Sequence, residues 1–286
     1  MVKIKIKSLI TLLAGFLILY LCQHFSFVIY SFGNVITVWN DLGYVALNIA
    51  SELLLIYLYS FYILRLPFGE IYIKRPGPQK KWVLTAAVMS LAVLFSCIIF
   101  TEGSFVRETL TGEQIAEVLC YTVLSIGLRA AVTEEMIFRG LVLGQLKNAW
   151  GEKPAILISG IAFSLIHCTN VDTSSPSLVI SVIAATLLPG ILFALITLET
   201  GSIWSGAAFH GLYNIISGDG QILHVSTEQY SAALLKYVPV KEYRWITGIP
   251  GTDDIETGLP AMLGFACLIA WLLYRRKRLK GIKKYS

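Results

Sequence analysis

Three groups of polar residues lie within strongly apolar stretches of this sequence, and their side chains could carry out acid–base chemistry. They are Thr-Glu-Glu-Met-Ile-Phe-Arg at 133–139, Phe-Ser-Leu-Ile-His at 163–167 and His-Gly-Leu-Tyr-Asn at 210–214. Carboxylates and imidazoles transfer protons, and a carboxamide donates hydrogen bonds. A charged group at membrane depth costs at least about 2.5 kcal/mol and persists mainly where it is paired or functional. We therefore predict that the three groups belong to one functional site.

The first group combines a candidate ion pair with a second carboxylate. Glu135 and Arg139 are four residues apart, so on a helix they share a face and can pair. Glu134 points about 100° away from Glu135, which leaves its carboxylate available for other contacts. Taken alone, this group is also consistent with a buried ion pair that has no catalytic role.

Each of the two histidines has a neighbour on the same helix face. Phe163 precedes His167 by four residues, and Asn214 follows His210 by four. A single histidine in a membrane helix is more often a hydrogen-bond partner of another helix than a catalyst. Counted along ideal helices from their cytoplasmic ends, however, Glu134, His167 and His210 lie about 20, 21 and 14 Å deep. The sequence therefore predicts that these side chains share one cavity.

The composition of the chain is that of a membrane protein. Of its 286 residues, 56% are hydrophobic and only 14% are charged, against roughly 25% charged in a soluble domain. The mean hydropathy is +0.69, which also excludes a disordered chain. The five cysteines are scattered through apolar stretches without a CxxC pair, which argues against a disulfide framework or a structural zinc site.

Apolar stretches long enough for a membrane helix predict an all-α, polytopic fold with about eight transmembrane helices and a buried polar cavity. The predicted segments are about 8–30, 43–64, 82–101, 115–146, 154–168, 177–198, 202–217 and 258–274. The fifth and seventh are short, and the fourth is too long for one upright span. If successive segments cross the membrane in opposite directions, 17 of the 23 lysines and arginines lie on one side of it. We therefore expect both termini in the cytoplasm.

The domain organisation is expected to be simple. Residues 1–286 form a single integral-membrane domain, in which we predict a catalytic core at about 113–217. The longest polar stretch, about 218–257, is predicted as an outer loop, and 275–286 as a basic cytoplasmic tail. The net charge of +5 comes from basic residues that flank apolar segments, so no nucleic-acid partner is expected.

At the three motifs the sequence resembles the membrane-embedded CAAX prenyl proteases and bacteriocin-processing proteins, often called the Abi or CPBP family. The pattern of that family is EExxxR, FxxxH and HxxxN on three separate transmembrane helices, and residues 134–214 contain all three without a substitution. Each motif is weak alone, whereas three in order within apolar helices make a specific match. The resemblance implies an intramembrane endopeptidase.

The resemblance also implies a role for each motif residue. Glu134 would be the general base that activates water, and His167 would help to hold that water. His210 and Asn214 would stabilise the oxyanion that forms when a peptide carbonyl is attacked. The supporting residues would be Glu135, Arg139 and Phe163.

Whether a metal takes part is a separate question. Glu134, His167 and His210 could bind zinc and leave an open position, and the family is often labelled metalloprotease for that reason. The HExxH helix of zinc proteases is absent from this sequence. The family resemblance implies a glutamate-activated water without a metal, so we expect no cofactor.

Two alternative functions belong to other classes. A non-proteolytic membrane protein, such as an immunity protein, would use the same cavity only for binding. A proton-coupled transporter would also explain intramembrane Glu and His, but it should show structural repeats, and none is apparent. We expect an integral protein of a bacterial plasma membrane whose partners are the lipid bilayer and a peptide or lipidated protein. The substrate could be CAAX-like, or a leader, bacteriocin or pheromone peptide.

Overall fold

The computed structural model describes residues 2–32, 38–67, 70–74, 77–218, 220–225, 233–240, 243–248 and 255–282. Eight longer helices dominate these residues, and each predicted apolar segment falls in one of them. The helices are α1 (Val2–Phe32), α2 (Val38–Leu58), α3 (Lys80–Phe100), α4 (Gly112–Trp150), α5 (Glu152–His167), α6 (Pro176–Thr200), α7 (Trp204–Ser217) and α8 (Leu259–Ile282). A π-helical stretch, Tyr59–Leu64, extends α2.

Six of the described helices, namely α1 to α4, α6 and α8, are long and apolar enough to cross a membrane. The other two, α5 with 16 residues and α7 with 14, are shorter than a full span. These are the fifth and seventh predicted segments. The all-α polytopic fold predicted from the sequence is therefore confirmed.

Local sequence signals explain where several helices begin and end. Thr111 and Gln114 form a capping box at the start of α4. Gly151 has a φ of +84°, which separates α4 from α5, and Gly201 ends α6 in the left-handed conformation at +72°. Pro176 occupies the first turn of α6, where its missing N–H removes no helical hydrogen bond.

The helix ends that carry the basic residues are tied together in the structure, and we call this end of the bundle the basic face. Glu199, at the end of α6, accepts contacts from Lys81 at 2.6 Å and from Arg275 at 3.1 Å. At the start of α1, Lys7 Nζ donates to the carbonyl of Leu64 at 3.2 Å. These contacts join the ends of α1, α2, α3, α6 and α8 on one side, as the alternating membrane crossings predict.

A small sheet, which the sequence analysis did not predict, lies at the opposite end of the bundle. Its strands are β1 (Gly103–Val106), β2 (Leu223–Val225) and β3 (Leu235–Pro239), in the order β1-β3-β2. β1 pairs with β3 antiparallel, and β2 pairs with β3 parallel. Two of the strands lie within the predicted outer loop, and an ion pair between Lys236 and Glu108 supports the sheet.

Two clusters of buried apolar side chains form the interior. One is built mainly from α1, α2, α4 and α5, and the other from α3, α6, α7 and α8. Phe163 belongs to the first cluster and Phe193 to the second, and their ring centroids are 6.4 Å apart in an edge-to-face arrangement. The clusters therefore meet beside the FxxxH motif of α5.

Candidate active site

The backbone of α4 changes form around its two adjacent glutamates. Glu134 and Glu135 end an α-helical stretch, Ala130–Glu135, that lies between two π-helical stretches, Tyr121–Arg129 and Met136–Val142. In π-helical stretches the hydrogen bonds span five residues instead of four, and such stretches occur frequently at functional sites. The wider turns on both sides set the direction in which the two carboxylates leave the helix.

Glu135 and Arg139 form the ion pair predicted from their spacing. Arg139 Nη1 lies 2.7 Å from Glu135 Oε1, and neither side chain is exposed. The second guanidinium nitrogen, Nη2, donates to the carbonyl of Gly190 in α6 at 2.9 Å. The guanidinium also lies over the ring of Phe163, 4.4 Å from its centroid. Arg139 thus connects α4, α5 and α6 at one point.

His210 of α7 faces both glutamates. Its Nδ1 lies 3.4 Å from Glu135 Oε1, and its Nε2 lies 4.0 Å from Glu134 Oε2. Phe193 stacks on the imidazole with a centroid distance of 5.0 Å, which holds the ring in this orientation. The Glu135 carboxylate therefore contacts both Arg139 and His210.

Two glycines bring α7 close enough to α4 for this contact. A Cβ atom on Gly211 would lie 2.7 Å from the carbonyl oxygen of Gly127, so only glycine fits at this crossing. Small residues allow membrane helices to approach this closely. One turn farther along α7, Asn214 Nδ2 donates to the carbonyl of Ile126 at 3.2 Å. The crossing fixes the position of Asn214 as well as that of His210.

His167, the last residue of α5, is oriented by its own helix. Its Nδ1 lies 2.8 Å from the carbonyl oxygen of Phe163, and because a carbonyl can only accept, Nδ1 carries the proton. In the neutral ring, Nε2 is then free to accept a hydrogen bond. The ring of Phe163 contacts His167 at a centroid distance of 4.7 Å and His210 at 5.8 Å. Phe163 therefore packs against both histidines.

A single cavity of about 610 Å³ brings the predicted catalytic residues together. Its wall includes Glu134, His167, His210 and Asn214. Phe163 also lines it, so this residue contributes to the cavity surface in addition to its predicted supporting role. The Glu135 and Arg139 side chains lie behind the wall and do not line the cavity, a position that is consistent with a supporting role. Whether these residues act in catalysis stays a prediction.

A buried carboxyl in α2 lies outside the three sequence motifs. Glu52 and Asn48, one turn apart, are both fully buried, and their side-chain polar atoms have no hydrogen-bond partner among the described residues. The charged groups that interact with Glu52 include Glu134 and Arg129 of α4. Glu52 follows an asparagine by four residues in an apolar segment. Because burying a charge is costly, such a glutamate is a sequence signal of a functional residue.

The side chains do not gather as a metal site requires. Within the residues that the structure describes, no three His, Cys, Asp or Glu side chains are grouped so that they could hold one metal ion. Glu134, His167 and His210 line the same cavity, but they do not meet that condition. Catalytic zinc sites use three protein ligands about 2.0–2.2 Å from the metal when these are N and O atoms. In the described structure the three side chains therefore share a cavity without being grouped as a ligand set, and the metal-free reaction stays a prediction.

Fold and site together define an integral membrane protein whose helices enclose a polar cavity lined by glutamate, histidine and asparagine. Residues 116–216, about a third of the chain, match the family model of the type II CAAX prenyl endopeptidase Rce1-like proteins. The match includes all three motifs and confirms the resemblance predicted from them. No curated protein matches the chain.

Proposed function

We propose that this protein is an intramembrane endopeptidase that uses a water molecule activated by Glu134. The observation that carries the proposal is the convergence of Glu134, His167, His210 and Asn214 on one cavity. The match of the surrounding helices to a family of endopeptidases supports the reaction type. The Glu134 and His210 side chains are only 13% and 7% exposed, so electrostatic interactions between them are stronger than they would be in bulk water.

In the proposed reaction, the Glu134 carboxylate takes a proton from a water that also bonds to Nε2 of His167. The resulting hydroxide attacks the carbonyl carbon of the scissile peptide bond, and the carbonyl oxygen becomes an oxyanion. His210 and Asn214 donate hydrogen bonds to that oxyanion. Glu134 then returns its proton to the amide nitrogen as the C–N bond breaks, which releases an amine and a carboxylic acid. Glu134 is left as the carboxylate.

The supporting residues keep the two adjacent carboxylates in different roles. Arg139 lies 2.7 Å from Glu135 and compensates its negative charge. The Glu134 side chain is 13% exposed, and it has no ion pair with a lysine or arginine among the described residues. This difference supports Glu134 as the base and Glu135 as the group that positions His210.

The proposed substrate is a membrane-associated peptide, either a CAAX-like C-terminus or a leader, bacteriocin or pheromone peptide. Peptides released from cells that express the wild-type protein or Glu134→Gln can be compared by mass spectrometry. The proposal predicts peptide ends that appear only with the wild type, and these ends identify the substrate and the bond. Identical peptide sets at equal protein abundance would instead favour a binding or immunity protein, because glutamine retains the shape of the cavity.

A metal-free reaction is also part of the proposal, and chelation tests it. Purified protein should retain its activity after exhaustive treatment with a strong zinc chelator, because no step requires a metal ligand. Elemental analysis should find well under one zinc per chain. Activity that disappears on chelation, and returns with added zinc at an unchanged fold, would contradict this prediction.

A further inference from the structure

The two ends of the helix bundle carry opposite charge. Among the residues whose side chains the structure describes, the segments at the basic face contain 13 basic and three acidic ones; these segments are 2–7, 65–67, 70–74, 77–81, 147–153, 199–203 and 275–279. Among the same described residues, those at the other end include six acidic and two basic ones; the acidic residues are Asp41, Glu102, Glu108, Glu113, Glu117 and Asp172. We call this second end the acidic face.

Contacts between sequence-distant segments show that the basic face is one surface of the molecule. Arg276 in α8 lies 3.0 Å from Glu152 at the start of α5. The Ser202 hydroxyl between α6 and α7 donates to the carbonyl of Lys74 at 2.7 Å. Lys5 lies over the ring of Trp150, 4.4 Å from its centroid. The charge separation is therefore a property of the folded bundle.

The cavity that contains Glu134 is built from the acidic-face halves of the helices. His24 and Phe27 lie in the last third of α1, and Tyr44 lies near the start of α2. Val171 follows the acidic-face end of α5, and Thr257 immediately precedes α8. The basic-face segments contribute no residue to this wall among those the structure describes. Exposed His24 and Phe27 show that the cavity opens at the surface of the bundle in the acidic-face half of α1.

Lysines and arginines accumulate in the cytoplasmic segments of membrane proteins, whereas aspartates and glutamates have little influence on orientation. The basic face is therefore assigned to the cytoplasm. We infer that the cavity is entered from the outer side of the membrane, and that its substrate is a peptide segment of net positive charge presented on that surface. The substrate part of this inference rests on the proposed endopeptidase function.

The charge of the substrate follows from the charge around the entrance. A surface whose described residues include three times as many acidic as basic ones has a negative potential, which concentrates cations and repels anions. Glu113 in the first turn of α4 and Asp172 after α5 are both exposed on this side. A translocated peptide with lysines or arginines near its scissile bond would be drawn toward the cavity by this field.

Access can be measured with single cysteines in a chain whose five native cysteines are replaced by alanine. Val171→Cys and Ala130→Cys place a thiol in the cavity wall, whereas Glu70→Cys places one on the basic face. A membrane-impermeant methanethiosulfonate should modify Val171→Cys and Ala130→Cys in intact cells. It should modify Glu70→Cys only after permeabilisation. Modification of Glu70→Cys in intact cells, with both cavity cysteines protected, would overturn the inferred orientation.

The same thiols report the charge of the entrance. A cationic methanethiosulfonate should react with Ala130→Cys at least about tenfold faster than an anionic one, after correction for their rates with a free thiol. The preference should decrease at high salt, because salt screens the acidic residues. Equal corrected rates would overturn the inferred substrate charge. These reactions require no cleavage, so they distinguish a failure of this inference from a failure of the proposed function.

Discussion

Replacing Glu134 with glutamine should lower the rate of peptide cleavage by about 10²- to 10⁴-fold, the contribution of a positioned general base. Glutamine has the same shape and can still form hydrogen bonds, but it cannot take a proton from water. The Glu134 carboxylate lies in the cavity wall without an Arg or Lys partner in the described structure, so folding does not depend on its charge. The rate should be measured with purified protein and the peptide identified from cells.

A control variant is available on the basic face. Glu70→Gln removes an exposed carboxylate that does not line the cavity, and it should leave the cleavage rate within about twofold of wild type. Both variants should unfold at the temperature of the wild type. Near-normal turnover by Glu134→Gln would mean that another group activates the water. An equal loss in Glu70→Gln would mean that the effect is not specific to Glu134.

The residues of the candidate site could be found from sequence because each motif depends on local spacing. Charges at membrane depth are rare, so Glu134, Glu135 and Arg139 are conspicuous within an apolar helix. Residues four apart share a helix face, which predicts the Glu135–Arg139 pair without knowledge of the fold. The helical rise of about 1.5 Å per residue then places the motifs at similar depth. These steps require only helical periodicity.

The contacts between helices could not be predicted in this way. The distance of 3.4 Å between His210 and Glu135 depends on the rotation of α7 and on how closely Gly211 approaches Gly127. The π-helical stretches of α4 have no sequence signature comparable to a helix cap, so the direction of the carboxylates was predicted only approximately. Interhelical packing, which determines both features, is a property of the whole bundle.

The sheet was missed because its strands are too short to produce a pattern. β1, β2 and β3 have only four, three and five residues, and none of them alternates strictly between buried and exposed positions. Their pairing joins a segment after α3 to segments after α7, a separation of more than 100 residues along the chain. Local sequence reasoning contains no information on such a pairing.

Glu52 was missed for a different reason. Asn48 and Glu52 are four residues apart in an otherwise apolar run of α2, the same spacing that relates the residues within the three motifs. Applied uniformly, the cost of burying charge would have selected this glutamate together with Glu134 and Glu135. Tyr44 of α2 lines the cavity, and Glu134 is among the charged groups that influence Glu52, so α2 belongs to the surroundings of the candidate site.

Replacing Arg139 with methionine should destabilise the protein by about 3–5 kcal/mol, because the Glu135 carboxylate would remain buried without its partner. The substitution also removes the hydrogen bond to the carbonyl of Gly190 and the contact with the ring of Phe163. Unfolding in detergent, followed by circular dichroism or by the reactivity of buried Cys97, measures the loss. Lower abundance in cells should accompany it.

Two further variants separate the buried charge from lost packing. The double variant Glu135→Gln/Arg139→Met removes both charges and should regain a large part of the stability, because no uncompensated ion remains. Arg276→Met breaks the partly exposed pair with Glu152 and should cost only about 0–1 kcal/mol, the range for surface ion pairs. If the double variant is no more stable than Arg139→Met, the loss arises from packing around the guanidinium. Glu135 would then not need Arg139 for charge compensation, and the assignment of separate roles to the two adjacent glutamates would fail.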